Sequence, residues 1–173
     1  HGLFRDVVLR RRPVVHAEDV EVRTELASDF SSATIAITVD LVGAGSVSAE
    51  IAGVGSMELL DGRLVAHLDA PRLWSNEDPY LYAVTISVFD EAGTLTEVIP
   101  QTVGLRTVAI TDAVFTVNGQ RVVFHGVNRH EFGPRGRVLT ADEIEADVRL
   151  IKQSGANAVR TSHYPNSSVF YDL

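Results

Sequence analysis

The sequence contains no cysteine and no long hydrophobic run. Without cysteine there are no disulfide bonds, no thiolate metal sites and no thiol nucleophile. No run of about 18 apolar residues could span a bilayer, and the first residues lack the charged-then-apolar layout of a signal peptide. These absences favour a cytoplasmic protein without a membrane partner.

Basic residues are scarce relative to acidic ones. Lys and Arg total 15 against 23 Asp and Glu, which gives a formal net charge of −8. That is the wrong sign for binding a nucleic-acid backbone, so nucleic acid is not expected as a partner. Hydrophobic residues make up 45% of the chain, enough to bury a core in one large domain or two small ones.

Residues 14–108 carry the pattern of an antiparallel β-sandwich. Apolar and polar residues alternate in short runs, as in the stretch from Val20 to Leu26, and turn signals such as Asp61-Gly62 separate the runs. Five or more strands without helical periodicity indicate a mainly β, immunoglobulin-like sandwich, although the cysteine pair typical of that fold is missing.

Residues 1–13 form a separate pattern. The β-rich run from Leu3 to Arg12, closed by Pro13, predicts the terminal strand of a preceding domain. Because the chain starts at His1 within this pattern and without an initiator methionine, we expect an internal piece of a longer protein.

Residues 109–173 begin differently, with a hairpin. Asn118-Gly119, between strand-like runs at residues 114–117 and 121–125, fits the positive φ angles of a type I′ turn. A capping box formed by Thr140 and Glu143 then starts an amphipathic helix that Gly155 ends, and residues 157–161 resume strand character. A hairpin followed by one βαβ unit predicts the start of a truncated (β/α)8 barrel, since isolated βαβ units leave their sheet uncovered.

The apolar residues of this βαβ unit suggest a second expectation. In a truncated barrel they face surfaces that further strands and helices would cover, so we expect the chain to self-associate through them or to hold this region loosely. The residues in question are Ile144, Val148, Ile151, Val169 and Phe170.

Two polar clusters follow the barrel strands. Active sites of such barrels form at the strand ends, and here these ends read GVNRHE at residues 126–131 and RTSHYP at residues 160–165. Asn, Arg, His and Tyr supply the directional donors and acceptors, and the aromatic surface, that a sugar requires.

These motifs resemble family 2 glycoside hydrolases. The similarity runs in order and spacing through GLFRDV, PRLWSNEDPYLY, GVNRHEF and LIKQSGANAVRTSHYPN. NRHE followed by SHYP is similar to the β-galactosidase branch, whereas β-glucuronidases more often have Lys in place of Arg129. The resemblance implies a jelly-roll domain, then an immunoglobulin-like sandwich, then a catalytic (β/α)8 barrel.

The resemblance also implies substrate-binding roles for Asn128, His130, Arg160 and His163. The two histidines would contact the terminal sugar or its oxocarbenium-like transition state, and Arg160 would orient an active-site carboxylate. The implied enzyme is a retaining exo-glycosidase that hydrolyses terminal β-D-galactosides with two glutamates. Both would lie on later barrel strands, so no catalytic residue is assigned here and this piece is predicted to be inactive alone.

Glu131 is interpreted as an anchor for a loop or an Arg, because one carboxylate cannot perform a two-step displacement. His16, His67 and His125 are interpreted as structural or surface residues, and Trp74 as a packing residue.

No metal site is expected. The resemblance implies Mg²⁺ and Na⁺ in the parent enzyme, with ligands outside this chain, and a homo-oligomeric parent.

Other functions remain open at this point. The parent could be a β-glucuronidase or β-mannosidase of the same family. The chain could also be a stand-alone β-sandwich module that binds carbohydrate or protein. A capped helix followed by RTSHYP argues against the module, which has no need of either.

Overall fold

The computed structural model describes residues 5–173. They form two compact units: residues 11–122 make up one, and residues 5–10 together with 123–173 make up the other. Neither helix of the described chain is long and apolar enough to cross a membrane.

The larger unit contains the predicted sandwich. One sheet has the strand order β1-β2-β6-β5 and the other β4-β3-β7-β8, with antiparallel pairing throughout. This matches the ABED and CFG sheets of an immunoglobulin fold, with β4 as an additional edge strand. The strands are β1 (His16–Leu26), β2 (Ser32–Val42), β3 (Gly45–Ile51), β4 (Gly55–Ser56), β5 (Glu58–Leu60), β6 (Arg63–Asp69), β7 (Tyr82–Asp90) and β8 (Leu95–Val103).

The sandwich core comes from alternating residues on the two inner faces. Ile35 and Ile37 of β2 and Ile86 of β7 are completely buried, whereas their neighbours along each strand are more exposed. Each such side chain stabilises the fold by roughly 1.5–3 kcal/mol through burial. The predicted alternation is therefore confirmed, and it fixes which face of each strand points inward.

A tyrosine corner closes one end of the sandwich. The hydroxyl of Tyr82, at the start of β7, accepts a hydrogen bond from the Arg72 backbone N–H at 2.8 Å. Tyr82 is buried, and the ring of Tyr80 packs edge-on against it with centroids 5.0 Å apart. This is the arrangement found at the same strand in immunoglobulin-like domains.

Trp74 packs within the same unit, as predicted. Its backbone N–H donates to the Leu105 carbonyl at 2.9 Å, and the Arg106 guanidinium lies 4.4 Å from its ring. A Cβ at Gly104 would lie 3.1 Å from Trp74 Cδ1, so a larger residue there would require the indole to shift by a few tenths of an ångström. The contacts are those of a packing residue.

A small three-stranded sheet follows the sandwich, in the order β11-β10-β9. Its strands are β9 (Val108–Thr111), β10 (Val114–Val117) and β11 (Gln120–Arg121). Asn118 and Gly119 have φ angles of 49° and 73°, which confirms the predicted type I′ turn. The sequence gives no glycine signal for the preceding turn at Asp112-Ala113, so β9 was not predicted.

The predicted strand over residues 121–125 is wrong beyond Arg121. Residues 122–125 are irregular: the Val122 backbone N–H still donates to the Phe115 carbonyl of β10 at 3.1 Å, and the residues after it bond Asn157. The Asn157 side chain accepts from the His125 backbone N–H at 2.8 Å and donates to the Val123 carbonyl at 2.9 Å. His125 is thus an exposed residue just before the first barrel strand and does not lie inside the hairpin.

The smaller unit contains the predicted βαβ arrangement. Strands β12 (Gly126–Arg129) and β13 (Ala158–Thr161) pair in parallel, with helix α1 (Ala141–Gln153) between them and a short helix α2 (Ser168–Asp172) after them. Thr140 accepts from the Glu143 backbone N–H at 3.3 Å, and the Glu143 carboxylate accepts from the Thr140 N–H at 2.7 Å. The capping box and the strand order are both confirmed.

Two predictions concern the N-terminal segment and the barrel faces. Residues 5–13 are irregular among the described residues, and the strand that the sequence predicts here belongs to a preceding domain, so it stays a prediction; residues 1–4 lie outside the described part. Of the apolar residues expected on the barrel faces, Ile144 is 2% exposed, and Val148, Ile151, Val169 and Phe170 are half-buried, so self-association through this surface stays a prediction. Helices α1 and α2 pack against each other, and Arg129 covers the ring of Phe170.

Candidate functional site

The parallel strands β12 and β13 place Asn128 directly beside Arg160. Arg129, the next residue of β12, contacts Asp147 of α1 and Phe170 of α2, so its side chain points toward the helices. Side chains alternate along a strand, and Asn128 therefore points to the opposite, open face together with Arg160. Both are exposed, and an open groove of about 430 Å³ runs along them.

His130 and His163 follow directly beyond these strand ends. Their rings meet edge to face, with centroids 5.6 Å apart and an interplanar angle of 85°. Both residues are exposed, and the peptide bond between Ser162 and His163 is cis. The structure thus brings the four predicted site residues together as two neighbouring pairs, one in register on the strands and one just past them.

Glu131, the residue after His130, is buried and holds neighbouring segments together through its carboxylate. Its side chain is 1% exposed, and its carboxylate accepts hydrogen bonds from the Arg5 guanidinium and, at 2.8 Å, from the Ser167 backbone N–H. Arg129 Nη1 lies 3.6 Å from the same carboxylate. These contacts tie the end of β12 to the segment before the sandwich and to the loop after β13.

The electrostatics of Glu131 follow from these contacts. Burial, the largest single effect, raises the pKa of the carboxyl group. The hydrogen bonds from Arg5 and the Ser167 N–H and the charges of Arg5 and Arg129 outweigh it, so the pKa lies below its ordinary value. Glu131 is therefore an ionised anchor, in agreement with the sequence interpretation.

Arg129 contributes a second ion pair, in which the arginine is buried and its partner Asp147 is 42% exposed. It is 5% exposed, and it donates to Asp147 Oδ2 from Nε at 3.0 Å and from Nη2 at 2.8 Å. This pair fastens β12 to α1 on the helix side of the strand. The residue that distinguished the NRHE motif is thus a packing and charge partner of the helix and does not lie on the open face.

The contacts of Tyr164 and Arg5 were not predicted, although both residues lie in motifs read from the sequence. The Tyr164 hydroxyl donates to the Glu131 carbonyl at 3.0 Å, and the Arg137 guanidinium stacks 4.7 Å from the Tyr164 ring. Arg5 belongs to the GLFRDV motif, far from the barrel in sequence, so its proximity to Glu131 could not be seen from periodicity or spacing. Only the similarity of the GLFRDV motif to family 2 glycoside hydrolases had pointed to this segment.

His16 and His67 belong to the larger unit and bond groups within it. His16 binds the Pro13 carbonyl at 2.8 Å, and His67 lies 3.0 Å from the Thr34 hydroxyl on the sandwich. Within residues 5–173, no group of three or more His, Asp or Glu side chains is arranged to hold a metal ion.

Family comparisons match both parts of the chain. The sequence model described as "Glycosyl hydrolases family 2" matches residues 15–106. The one described as "Glycosyl hydrolases family 2, TIM barrel domain" matches residues 108–173.

Individual relatives point the same way. The chain is 40% identical to a β-galactosidase of Halalkalibacterium halodurans and 36% identical to one of Clostridium acetobutylicum, with 99% of this chain covered in each case. It spans about a fifth of the length of these relatives, 18% and 20%. Among solved structures, it is similar to a β-glucuronidase from Ruminococcus gnavus in complex with D-glucuronic acid, with a TM-score of 0.80, 27% identity, and 92% of this chain and 28% of that one covered.

Proposed function

The chain belongs to glycoside hydrolase family 2, and on that premise we propose that it is part of a retaining exo-glycosidase that hydrolyses terminal β-D-galactosides. The observation that carries the proposal is the grouping of Asn128, His130, Arg160 and His163 at the carboxyl ends of two parallel strands. In (β/α)8 barrels this is where substrates bind.

The proposed roles follow from the chemistry of each group. Asn128 both donates and accepts hydrogen bonds, as sugar hydroxyls do, and it lies beside Arg160 on the open face. Arg160 would hold an active-site carboxylate through charge-assisted hydrogen bonds. His130 and His163 would contact the terminal sugar and stabilise its oxocarbenium-like transition state. Together the four side chains bind and orient the sugar and perform no proton transfer of their own.

The catalytic carboxylates are proposed to come from other parts of the whole enzyme. A retaining glycosidase needs an accessible nucleophile and an acid/base, with carboxyl groups about 5–5.5 Å apart. Glu131 fits neither role: its carboxylate is buried and bound by Arg5 and Ser167, and its lowered pKa is the opposite of what a general acid requires. The chain alone is therefore proposed to be inactive.

Galactosides are favoured as substrates by the curated relatives. Eight β-galactosidases are 32–40% identical to this chain, whereas the structurally similar β-glucuronidases are 26–27% identical. The fold similarity to the glucuronidases favours β-glucuronides as the second candidate. A β-mannoside specificity and a stand-alone binding module have no comparable support.

The remaining properties of the whole enzyme are also proposals. We propose a cytoplasmic homo-oligomer that uses Mg²⁺ and Na⁺, and an isolated chain that self-associates through its barrel surface. The described residues offer no cluster of three or more metal ligands, so the ions would be held by other parts of the enzyme. No step assigned to these residues depends on them.

The test is kinetic. The full-length enzyme is assayed with nitrophenyl β-galactoside, β-glucuronide and β-mannoside, and kcat/KM is expected to be highest for the galactoside. The 173-residue chain is assayed in parallel and is expected to show no turnover. A preference for the glucuronide would overturn the substrate assignment, and turnover by the chain alone would overturn the assignment of the carboxylates.

A second measurement locates the nucleophile. A 2-deoxy-2-fluoro galactoside slows hydrolysis of the covalent glycosyl-enzyme intermediate and labels the attacking carboxylate. Peptide mapping of the labelled full-length enzyme is expected to place the label outside residues 1–173. A label on Glu131 would contradict its role as an anchor.

A further inference from the structure

We propose that Arg5 and Glu131 are positioning residues that set the spacing between His130 and His163. The inference rests on the proposed function, because the two histidines matter to catalysis only if they bind the sugar. Residues 5–10, which precede the sandwich, would then help to form the sugar site at the barrel strands.

The first link is the side chain of Glu131. It follows His130 in sequence and is buried, and its carboxylate accepts the Ser167 backbone N–H at 2.8 Å. The end of β12, which carries His130, is thereby joined to the loop after β13, which carries His163. A buried carboxylate bonded to backbone in this way restricts movement of both segments.

The second link is the backbone of Glu131. Its carbonyl accepts the hydroxyl of Tyr164 at 3.0 Å, and Tyr164 directly follows His163. The hydrogen bond therefore joins Glu131, the residue after His130, to Tyr164, the residue after His163. The distance between the two rings is set by a contact one residue away from each of them.

Arg5 completes the arrangement by balancing the charge. Arg129 Nη1 lies 3.6 Å from the Glu131 carboxylate, beyond hydrogen-bond distance for this donor, and the other donors of Arg129 bind Asp147. Arg5 is the cation that donates directly to Glu131. Its second terminal nitrogen lies 3.4 Å from the Pro165 carbonyl, so one guanidinium reaches both strand-end loops.

Loss of Arg5 would leave a buried carboxylate without a direct charged partner. The loops would then shift to hydrate Glu131, and the histidines would move with them. A displacement of about 1 Å at a catalytic site costs on the order of 100-fold in rate. Arg5 would thus affect catalysis without contacting the sugar.

The activity test uses Arg5→Met in the full-length enzyme. We expect kcat for its preferred β-glycoside to fall by about 10- to 100-fold, with Arg5→Lys losing less because it keeps the charge. Arg10→Met, an exposed arginine of the same segment, is the matched control and should retain activity. The Arg5→Met/Glu131→Gln double variant should lose no more than the worse single variant, because both changes break one interaction.

A spectroscopic test is independent of turnover. In the 173-residue chain, NMR cross-peaks between the His130 and His163 rings are expected in the parent and in Arg10→Met, and weakened in Arg5→Met. Tyr164→Phe removes only one hydroxyl and serves as a milder variant if Arg5→Met unfolds. It should also weaken the cross-peaks.

The outcomes separate the two proposals. Unchanged cross-peaks and unchanged kcat in Arg5→Met, or unchanged cross-peaks in a folded Tyr164→Phe, would overturn the positioning roles. If the enzyme prefers another glycoside, only the substrate assignment is overturned. The kcat of Arg5→Met is then compared with that of the parent on the preferred glycoside. Additive losses in the double variant would show that Arg5 and Glu131 act separately and would also overturn the proposal.

Discussion

The rings of His130 and His163 meet edge to face, with their centroids 5.6 Å apart. They come from the ends of two parallel strands that pair through Asn128 and Arg160. Asn128 and Arg160 are exposed as well and add hydrogen-bonding groups on the open face of the strands. The smaller unit therefore presents four exposed polar side chains at two neighbouring strand ends.

The first prediction concerns acid stability of the smaller unit. The pKa of Glu131 lies below its ordinary value of 4.5 in the folded state, so the unfolded chain binds the proton more readily. The stabilisation is therefore fully present above about pH 4.5 and is lost as the pH falls through the lower, folded pKa. Amide exchange of residues 126–167 should accelerate in that acidic window.

Glu131→Gln should remove this contribution and lower stability at neutral pH by about 2–3 kcal/mol, as expected for a charged hydrogen bond. Glu145→Gln is the control, since Glu145 pairs with Arg149 on the exposed surface of α1, where such a pair contributes about 0.3–0.5 kcal/mol. Equal effects of the two substitutions would contradict the anchoring role of Glu131.

The second prediction concerns the tyrosine corner. Tyr82→Phe leaves the partly buried Arg72 N–H without its acceptor and should destabilise the sandwich by about 0.5–1.5 kcal/mol. Tyr80→Phe provides the control, because Tyr80 is held through its ring by Tyr82 and Arg72. Urea unfolding followed by Trp74 fluorescence measures both, and a Tyr82→Phe midpoint equal to that of Tyr80→Phe would count against the corner.

The third prediction concerns the start of α1. Thr140→Ala removes the acceptor for the Glu143 N–H and should cost about 1 kcal/mol of local stability. Ser167→Ala is the matched control: Ser167 caps α2 without a side-chain cap bond to any residue between 5 and 173, and its hydroxyl is unbonded there. Hydrogen exchange across α1 should respond to the first substitution and not to the second.

Much of the fold could be predicted from local patterns. Strand alternation, the Asn118-Gly119 turn and the Thr140 capping box are each encoded within a few residues, and the structure confirms all three. Strand β9 was missed because its turn, Asp112-Ala113, lacks the glycine that usually marks positive φ angles. The strand predicted near the N-terminus would pair within a preceding domain, so it stays a prediction.

The site was predictable only in part. Strand-end logic and motif similarity found Asn128, His130, Arg160 and His163, since each lies in or next to a strand whose direction is readable from sequence. The contact between Arg5 and Glu131 joins residues that are far apart in sequence, so no local sequence pattern predicts it. The same is true of the Tyr164 hydroxyl, whose partner is a backbone carbonyl and carries no residue-type signal.

The most direct test of the central claim is the effect of His130→Ala and His163→Ala on kcat/KM of the full-length enzyme with nitrophenyl β-galactoside. Each variant should lose about 10²–10³-fold, as loss of one transition-state hydrogen bond does in other enzymes. His67→Ala, on the exposed surface of the sandwich, should retain kcat/KM. Losses no larger than that of His67→Ala would contradict the assignment of the sugar site to these strand ends.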